Sequence, residues 1–265
     1  MITSSSNPQI KEIRKLRDRK ERQATGLFYI EGLRIVGEAV ELNEKIEALL
    51  VSPELLISDF GQKLVQSHQE KGGLILEVSQ QVFQNISLKE GPQGIAAVLR
   101  QRWANLEELV VKPDDCWVVL DSIADPGNLG TILRTSDSTG CRGVILLDQC
   151  TDPYDPSSIR ASMGALFNQK LVKTSFEVFA NWKRRTGIQL VGTSDKAKQN
   201  YHTYVFPKNL AVMMGSERQG LQQKHLELCD AVVRIPMTGV SDSLNLAVAT
   251  GVVLYEVVNQ KQEAA

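Results

Sequence analysis

Apolar residues fall along this chain in two alternating series separated by a polar stretch. In the first series, residues 28–30 read as a short strand and 32–42 as a helix with Leu33, Val36, Ala39 and Val40 at core spacing. A strand over 46–51, a helix opening at Pro53, a strand over 74–78 and a closing strand over 94–99 complete it. The alternation predicts a small α/β domain. His68, in a polar helical stretch, is expected at the surface. Residues 100–114 are more polar, contain Pro113 and read as the connection, with Leu106, Leu109 and Val110 packing as a short helix or strand. The alternation then restarts with more apolar strands at 117–120, 144–147, 188–191, 210–214 and 231–235. Uninterrupted apolar strands are buried on both faces, which predicts a mostly parallel sheet. The expected division is therefore 1–104 and 105–265.

In parallel α/β sheets, ligands bind beyond the carboxyl ends of the strands. Three polar, glycine-bearing segments stand there: DPGNLGTILRTSDSTG at 125–140, MMGSERQGL at 213–221 and IPMTGVSDSLNLAVATGVVLYE at 235–256. In the first, Asp125-Pro126-Gly127 makes a turn and Asn128 suits a helix N-cap. Arg134 lies six residues further on: either it snorkels and pairs with Asp137 or Asp121, or it is a fixed cation for a phosphate or a developing oxyanion. The second segment has the glycine separation of a nucleotide P-loop, but Leu221 and Gln222 stand where that loop needs Lys and Ser/Thr, which excludes it. The third feeds a helix capped by Asp242 or Ser243, with Leu244, Ala247, Val248, Gly251, Val252, Tyr255 and Val258 as the expected buried face. Asn245 is a second cap or a ligand contact.

A formal net charge of -1 leaves any nucleic-acid binding to local patches. One is present: residues 11–22 hold seven basic and three acidic side chains around Ile13 and Leu16. They read as one basic helix, either solvated with internal ion pairs or facing phosphates. The four cysteines include no CxxC pair, so inert thiols are expected rather than a zinc or disulfide scaffold, and no metal site is expected. The N-terminus lacks a signal-peptide apolar core and no apolar run is long enough to span a bilayer, so a cytoplasmic protein with no membrane partner is expected.

Taken together, in this order and spacing over about residues 115–260, the three segments resemble the motifs of the SpoU (TrmH-type) RNA 2′-O-ribose methyltransferases of the SPOUT superfamily. The N-terminal part, with Asn7-Pro8, Gly26 to Val36 and Pro92-Gln93-Gly94, resembles the RNA substrate-binding domain often fused to them, an α/β fold like those of RNA-binding ribosomal proteins. The resemblance implies an α/β fold whose C-terminal domain is a trefoil-knotted, mostly parallel α/β-knot, a homodimer with the active site near the dimer interface, and S-adenosyl-L-methionine as cofactor. It implies Arg134, Asn128, Glu217, Ser243 and Asn245 as catalytic residues. Thr193, Met214, Gly215, Ile235, Pro236, Met237 and Leu244 would hold the cofactor, largely through backbone groups. Structured RNA, ribosomal before transfer RNA, would be the substrate, contacted by Lys11, Arg14, Lys15, Arg17, Arg19 and Arg34. Ser216, Ser136 and Ser138 stand where Asn or Ala-type residues are common in the family. A non-catalytic RNA-binding protein on the same scaffold and a base methyltransferase are the competing readings.

Overall fold

The computed structural model describes residues 1–263. They form two compact units, one of residues 1–101 with 154–167, the other of 102–153 with 168–263.

The first unit comprises α1 (Pro8–Lys15), α2 (Arg19–Thr25), β1 (Leu27–Glu31), α3 (Leu33–Glu41), β2 (Ile46–Val51), α4 (Asp59–Glu70), β3 (Ile75–Glu77), α5 (Gln80–Ile86) and β4 (Ile95–Arg100). Its sheet runs β1-β4-β2-β3, antiparallel except for the parallel β2–β3 pair. Ile10, Ile13 and Leu16 pack with Val82, Phe83 and Ile86 of α5 over Tyr29, Leu50 and Val98. Three expectations are corrected here. No helix opens at Pro53; α4 begins six residues later, where the Ser58 hydroxyl accepts from Gly61 N. His68 is buried, because the chain turns back at Gly73 so closely that a Cβ there would lie 2.1 Å from the imidazole Nε2. The basic stretch is two helices, not one. Arg22, only 1% exposed, pins the break between them by donating to the carbonyls of Leu16 (3.0 Å) and Arg17 (2.7 Å) and to Asp155 of the same unit (3.2 Å).

The second unit contains β5 (Cys116–Asp121), α6 (Pro126–Ser138), β6 (Gly143–Leu147), β7 (Lys170–Thr174), α8 (Phe176–Thr186), β8 (Gln189–Thr193), β9 (Gln199–Asn200), β10 (Leu210–Met214), α9 (Gln223–Leu228), β11 (Ala231–Arg234) and α10 (Leu246–Glu263), while α7 (Pro156–Ser162) belongs to the first unit. All seven strands are parallel, in the order β7-β6-β5-β10-β8-β11-β9. Full burial of Val118, Val119, Leu120, Val212 and Met213 follows from helices covering both sheet faces. Leu106, in a 3-10 turn, joins this core, as expected, whereas Val110 is exposed. Strands β7 and β9 escaped the sequence reading because β7 carries lysines at the sheet edge and β9 is two residues long. Burial pushes the thiols of Cys150 and Cys229 up to about 11 and about 12, which keeps them protonated and unreactive at neutral pH. No helix among the described residues is long and apolar enough to cross a membrane.

Candidate active site

Strand register assembles the site. Met214 at the end of β10 lies opposite Leu120 near the end of β5, so the loops that start at Ser122 and Gly215 emerge side by side. The β10 loop doubles back on itself, with Ser216 bridged to Gly220. Gly215 is required by that fold: a Cβ there would lie 2.2 Å from the Gly220 carbonyl carbon. The β5 loop enters α6 through Asp125, whose carboxylate accepts from Asn128 N at 2.6 Å, with Pro126 at the first helical position. Asp125, not Asn128, is therefore the cap, which releases the Asn128 side chain for other work.

That work is visible in one hydrogen-bonded chain. Asn245 caps α10, its Oδ1 accepting from Ala247 N (2.9 Å) and Val248 N (3.3 Å), so the expected caps Asp242 and Ser243 are displaced by it. Two backbone donors on Oδ1 fix the orientation of that amide. Its Nδ2 must then donate, and it does, to Asn128 Oδ1 at 2.9 Å. Asn128 is fixed in turn, and its Nδ2 donates to Glu217 Oε1 at 3.1 Å. One residue from each motif is thus locked to the next. The chain borders a cleft of about 510 Å³ lined by Ser122, Ala124, Asp125, Asn128, Ser216, Glu217, Arg218, Gln219 and Asn245.

The remaining candidates are placed as follows. Thr193 ends β8, with its hydroxyl on Met213 O and Met214 Sδ, both at 3.4 Å. Met214 is buried, Ile235 is half-buried, and Pro236, Met237, Ser243 and Leu244 are exposed. The backbone of residues 237–244 makes no hydrogen bond to another described residue. Arg134 is exposed on α6, has no side-chain partner among the described residues, and does not line the cleft of its own chain; the pairing with Asp137 or Asp121 is not made. Asp121 faces His225 instead, at 3.6 Å. That buried pair lies behind both loops and was missed by the sequence reading. His225 also accepts from Gln222 N through Nδ1 (3.2 Å), closing a capping box that stops the second-motif loop. Burial, offset in part by Asp121, lowers the His225 pKa and favours the neutral ring. Ser122, Arg218 and Gln219 were likewise not singled out; their places beside Asp125 and Glu217 in the motifs were the available signal.

In the first unit, Lys11 and Arg14 are exposed and have no side-chain partner among the described residues, and Lys15 pairs with Glu12 at 2.8 Å. Arg17 donates to the carbonyls of Asn85, Ile86 and Ser87 at the end of α5. Arg19 is exposed at the start of α2 and Arg34 at the start of α3, its Nε 3.5 Å from Glu38.

The SpoU rRNA Methylase family matches residues 115–255, and the MRM3-like substrate binding domain matches residues 7–97. The Bacillus subtilis 23S rRNA (guanosine(2553)-2′-O)-methyltransferase RlmP is 29% identical over 254 residues, spanning 96% of this chain and 97% of its own. The Streptomyces viridochromogenes 23S rRNA (uridine(2479)-2′-O)-methyltransferase is 30% identical over 257 residues, spanning 93% and 87%. The AdoMet-bound crystal structure of an rRNA methyltransferase from Sinorhizobium meliloti superposes with a TM-score of 0.90 at 36% identity, covering 97% of each chain.

Proposed function

The chain belongs to the SpoU rRNA methylase family, and from that membership we propose that it methylates a ribose 2′-hydroxyl of ribosomal RNA using S-adenosyl-L-methionine. The observation that carries the reading is the Asn245–Asn128–Glu217 chain, which joins all three motifs beside one cleft. Relatives named for guanosine and for uridine share this architecture, which favours the ribose, common to both, over a base atom. Their names also favour ribosomal over transfer RNA.

The residues present fit the cofactor. Residues 237–244 offer backbone groups free of internal partners, with exposed Met237 and Leu244 beside them, for a ligand with polar ends and an apolar middle. Met214, Gly215, Ile235, Pro236 and Thr193 complete that cradle. When bound, the cofactor supplies an activated methyl group, so no metal is needed. The chain's own residues position and polarise. The locked amides hold Glu217 with one carboxylate oxygen engaged, and Ser243 lies two residues before Asn245 in the segment that leads into α10. Arg134 keeps its proton at ordinary pH, so it acts by charge, on the developing alkoxide or a neighbouring phosphate. The hydroxyl proton then passes to Glu217, phosphate or water.

Arg134 does this work across a homodimer. Its exposure on α6, beside the apolar outer face of α10, supports a partner's cleft as its target; Gly251 of α10 sits against Thr135, where a Cβ would lie 3.7 Å from the methyl. The trefoil knot, the cytoplasmic location and the division of labour between an RNA-choosing part (1–104) and a methyltransferase part (105–265) belong to the same reading. Lys11, Arg14, Lys15, Arg19 and Arg34 supply phosphate contacts. Arg17 contributes only what its three carbonyl bonds leave free.

The decisive measurement maps 2′-O-methyl sites in ribosomal RNA from cells with and without this protein, with mass spectrometry of the digested product to separate ribose from base. One site should vanish. Arg134→Ala should lower turnover by about 10²–10³, while calorimetric S-adenosylmethionine affinity stays within about twofold. Equal loss of both would make Arg134 a structural residue.

A further inference from the structure

The first unit contains a second, smaller cavity of about 190 Å³, formed where β1 and α3 meet the loop after α5 and the end of α7. Its walls are apolar, from Ile35, Leu88, Ile159 and Met163. Met163 is notable among them. It caps the end of α7 in the left-handed conformation (φ 53°), and the residue is 38% exposed. A soft, polarisable side chain left exposed in a concave wall favours contact with a planar ring.

Three cations, Arg34, Lys89 and Arg160, border the same cavity. Arg160 has no side-chain partner among the described residues. Lys89 donates to Glu31 O at 2.8 Å across Gly32, where a Cβ would lie 2.7 Å from the ammonium. Gly32 (φ 110°) is also the N-cap of α3, so no side chain of its own closes that helix end, and Gln93 accepts from Leu33 N at 3.0 Å. The acidic groups nearby are engaged. Glu31 accepts from Ser87 Oγ (2.6 Å), Leu88 N (2.9 Å) and Tyr29 OH (3.4 Å), and Glu38 faces Arg34 at 3.5 Å through Oε1, while its Oε2 is buried against Gly164, away from the rim, with no hydrogen-bond partner among the described residues. The accessible charge at the rim is therefore positive.

We propose that this cavity receives a single unstacked nucleotide of the RNA substrate, its base on the apolar wall with Met163 and its flanking phosphates on Arg34, Lys89 and Arg160. This rests on RNA being the substrate and adds a recognition site separate from the methylated ribose. A paired A-form stem presents no protruding base, whereas a bulge or loop does, and such a base can stack on an arginine guanidinium plane, which Arg34 and Arg160 offer beside the apolar wall. The apolar wall explains what phosphate binding alone does not require, and the cations explain what a purely apolar ligand does not.

The test uses the full chain and fluorescence anisotropy with three RNA stems: one with a single bulged uridine, one with an abasic residue at the bulge, and one fully paired. The bulged stem should bind about tenfold tighter than the abasic one, the scale of one base-stacking contact. Met163→Glu should erase that preference and Met163→Leu restore it. Arg160→Ala should weaken the bulged and abasic stems alike and reduce the salt dependence. Equal binding of the bulged and abasic stems by the wild-type protein, or an undiminished preference in Met163→Glu, would overturn the proposal. Calorimetry with S-adenosylmethionine on the same preparations reports on the methyltransferase reading separately: intact cofactor binding without a bulge preference removes only this inference.

Discussion

At the scale of single residues, the site is decided by which groups are left free once local structure has taken its share. Because Asp125 caps α6, Asn128 is not consumed by the backbone, and because Asn245 caps α10 through its oxygen, its amide nitrogen is left to donate. The polarity of the chain from α10 to Glu217 follows without further choice. Asn128 substitutions separate its two roles. Asn128→Ala should remove both links, leave Asn245 and Glu217 unrestrained, and lower kcat by about 10–100-fold, the equivalent of the ~1–3 kcal/mol of lost hydrogen bonds. Asn128→Asp should be worse, since it sets one carboxylate against another 3.1 Å away and gains nothing in return. Single-turnover kinetics with saturating cofactor would check the order. An aspartate variant as active as wild type would mean that the chain is incidental. The residues of this chain were legible from sequence as motif members. Their hydrogen-bond direction was not, because it depends on cap assignments that shift by two or three positions between the expected and the actual helix starts.

At the scale of elements, strand placement was legible and helix orientation less so. The strands over 46–51 and 210–214 appear at those bounds, since an apolar run between polar turns specifies a buried strand by itself. Helix α10 shows the limit. Its buried side is Leu246, Ala247, Thr250, Val253, Leu254 and Val257, whereas Val248 and Tyr255, expected inside, are 53% and 51% exposed. The helix is apolar nearly all round, so periodicity offers two faces and cannot choose between them. An apolar outer face on a helix needs covering, and a second copy of this chain is the cover proposed above. Val248→Asp should therefore shift the protein from dimer to monomer in sedimentation equilibrium with little loss of monomer stability, because the position is not in the core. It should also abolish methylation, since Arg134 would lose the cleft it serves. A monomeric variant with full activity would show that the site is complete within one chain.

At the scale of the whole molecule, both units bury a histidine, and neither burial was legible in the sequence, where His68 and His225 stand among polar helical residues. Burial comes from distant segments: Gly73 closing over His68, and Phe176 packing edge-on against His225 with ring centroids 4.8 Å apart. Burial is also the largest cause of both lowered pKa values. At His68 the Leu74 backbone opposes and Lys71 adds; at His225, Asp121 and Asp148 oppose while Lys224 adds. The consequence for stability has a definite sign. A histidine with a lowered folded pKa binds protons more readily when unfolded, so its contribution is complete above the unfolded value of about 6.5 and is lost as pH falls below it. Each ring contributes a slope of at most about 1.4 kcal/mol per pH unit in that window. Thermal unfolding should therefore move to lower temperature between pH 7 and pH 5, before most carboxylates titrate. His225→Gln, which retains an acceptor for Gln222 N and a donor toward Asp121, should flatten the profile of the unit that holds the cleft. His68→Gln should flatten that of the other unit. Because the two histidines lie in different compact units, each substitution should change the transition of its own unit alone, and one shared transition altered by both would mean that the units unfold together.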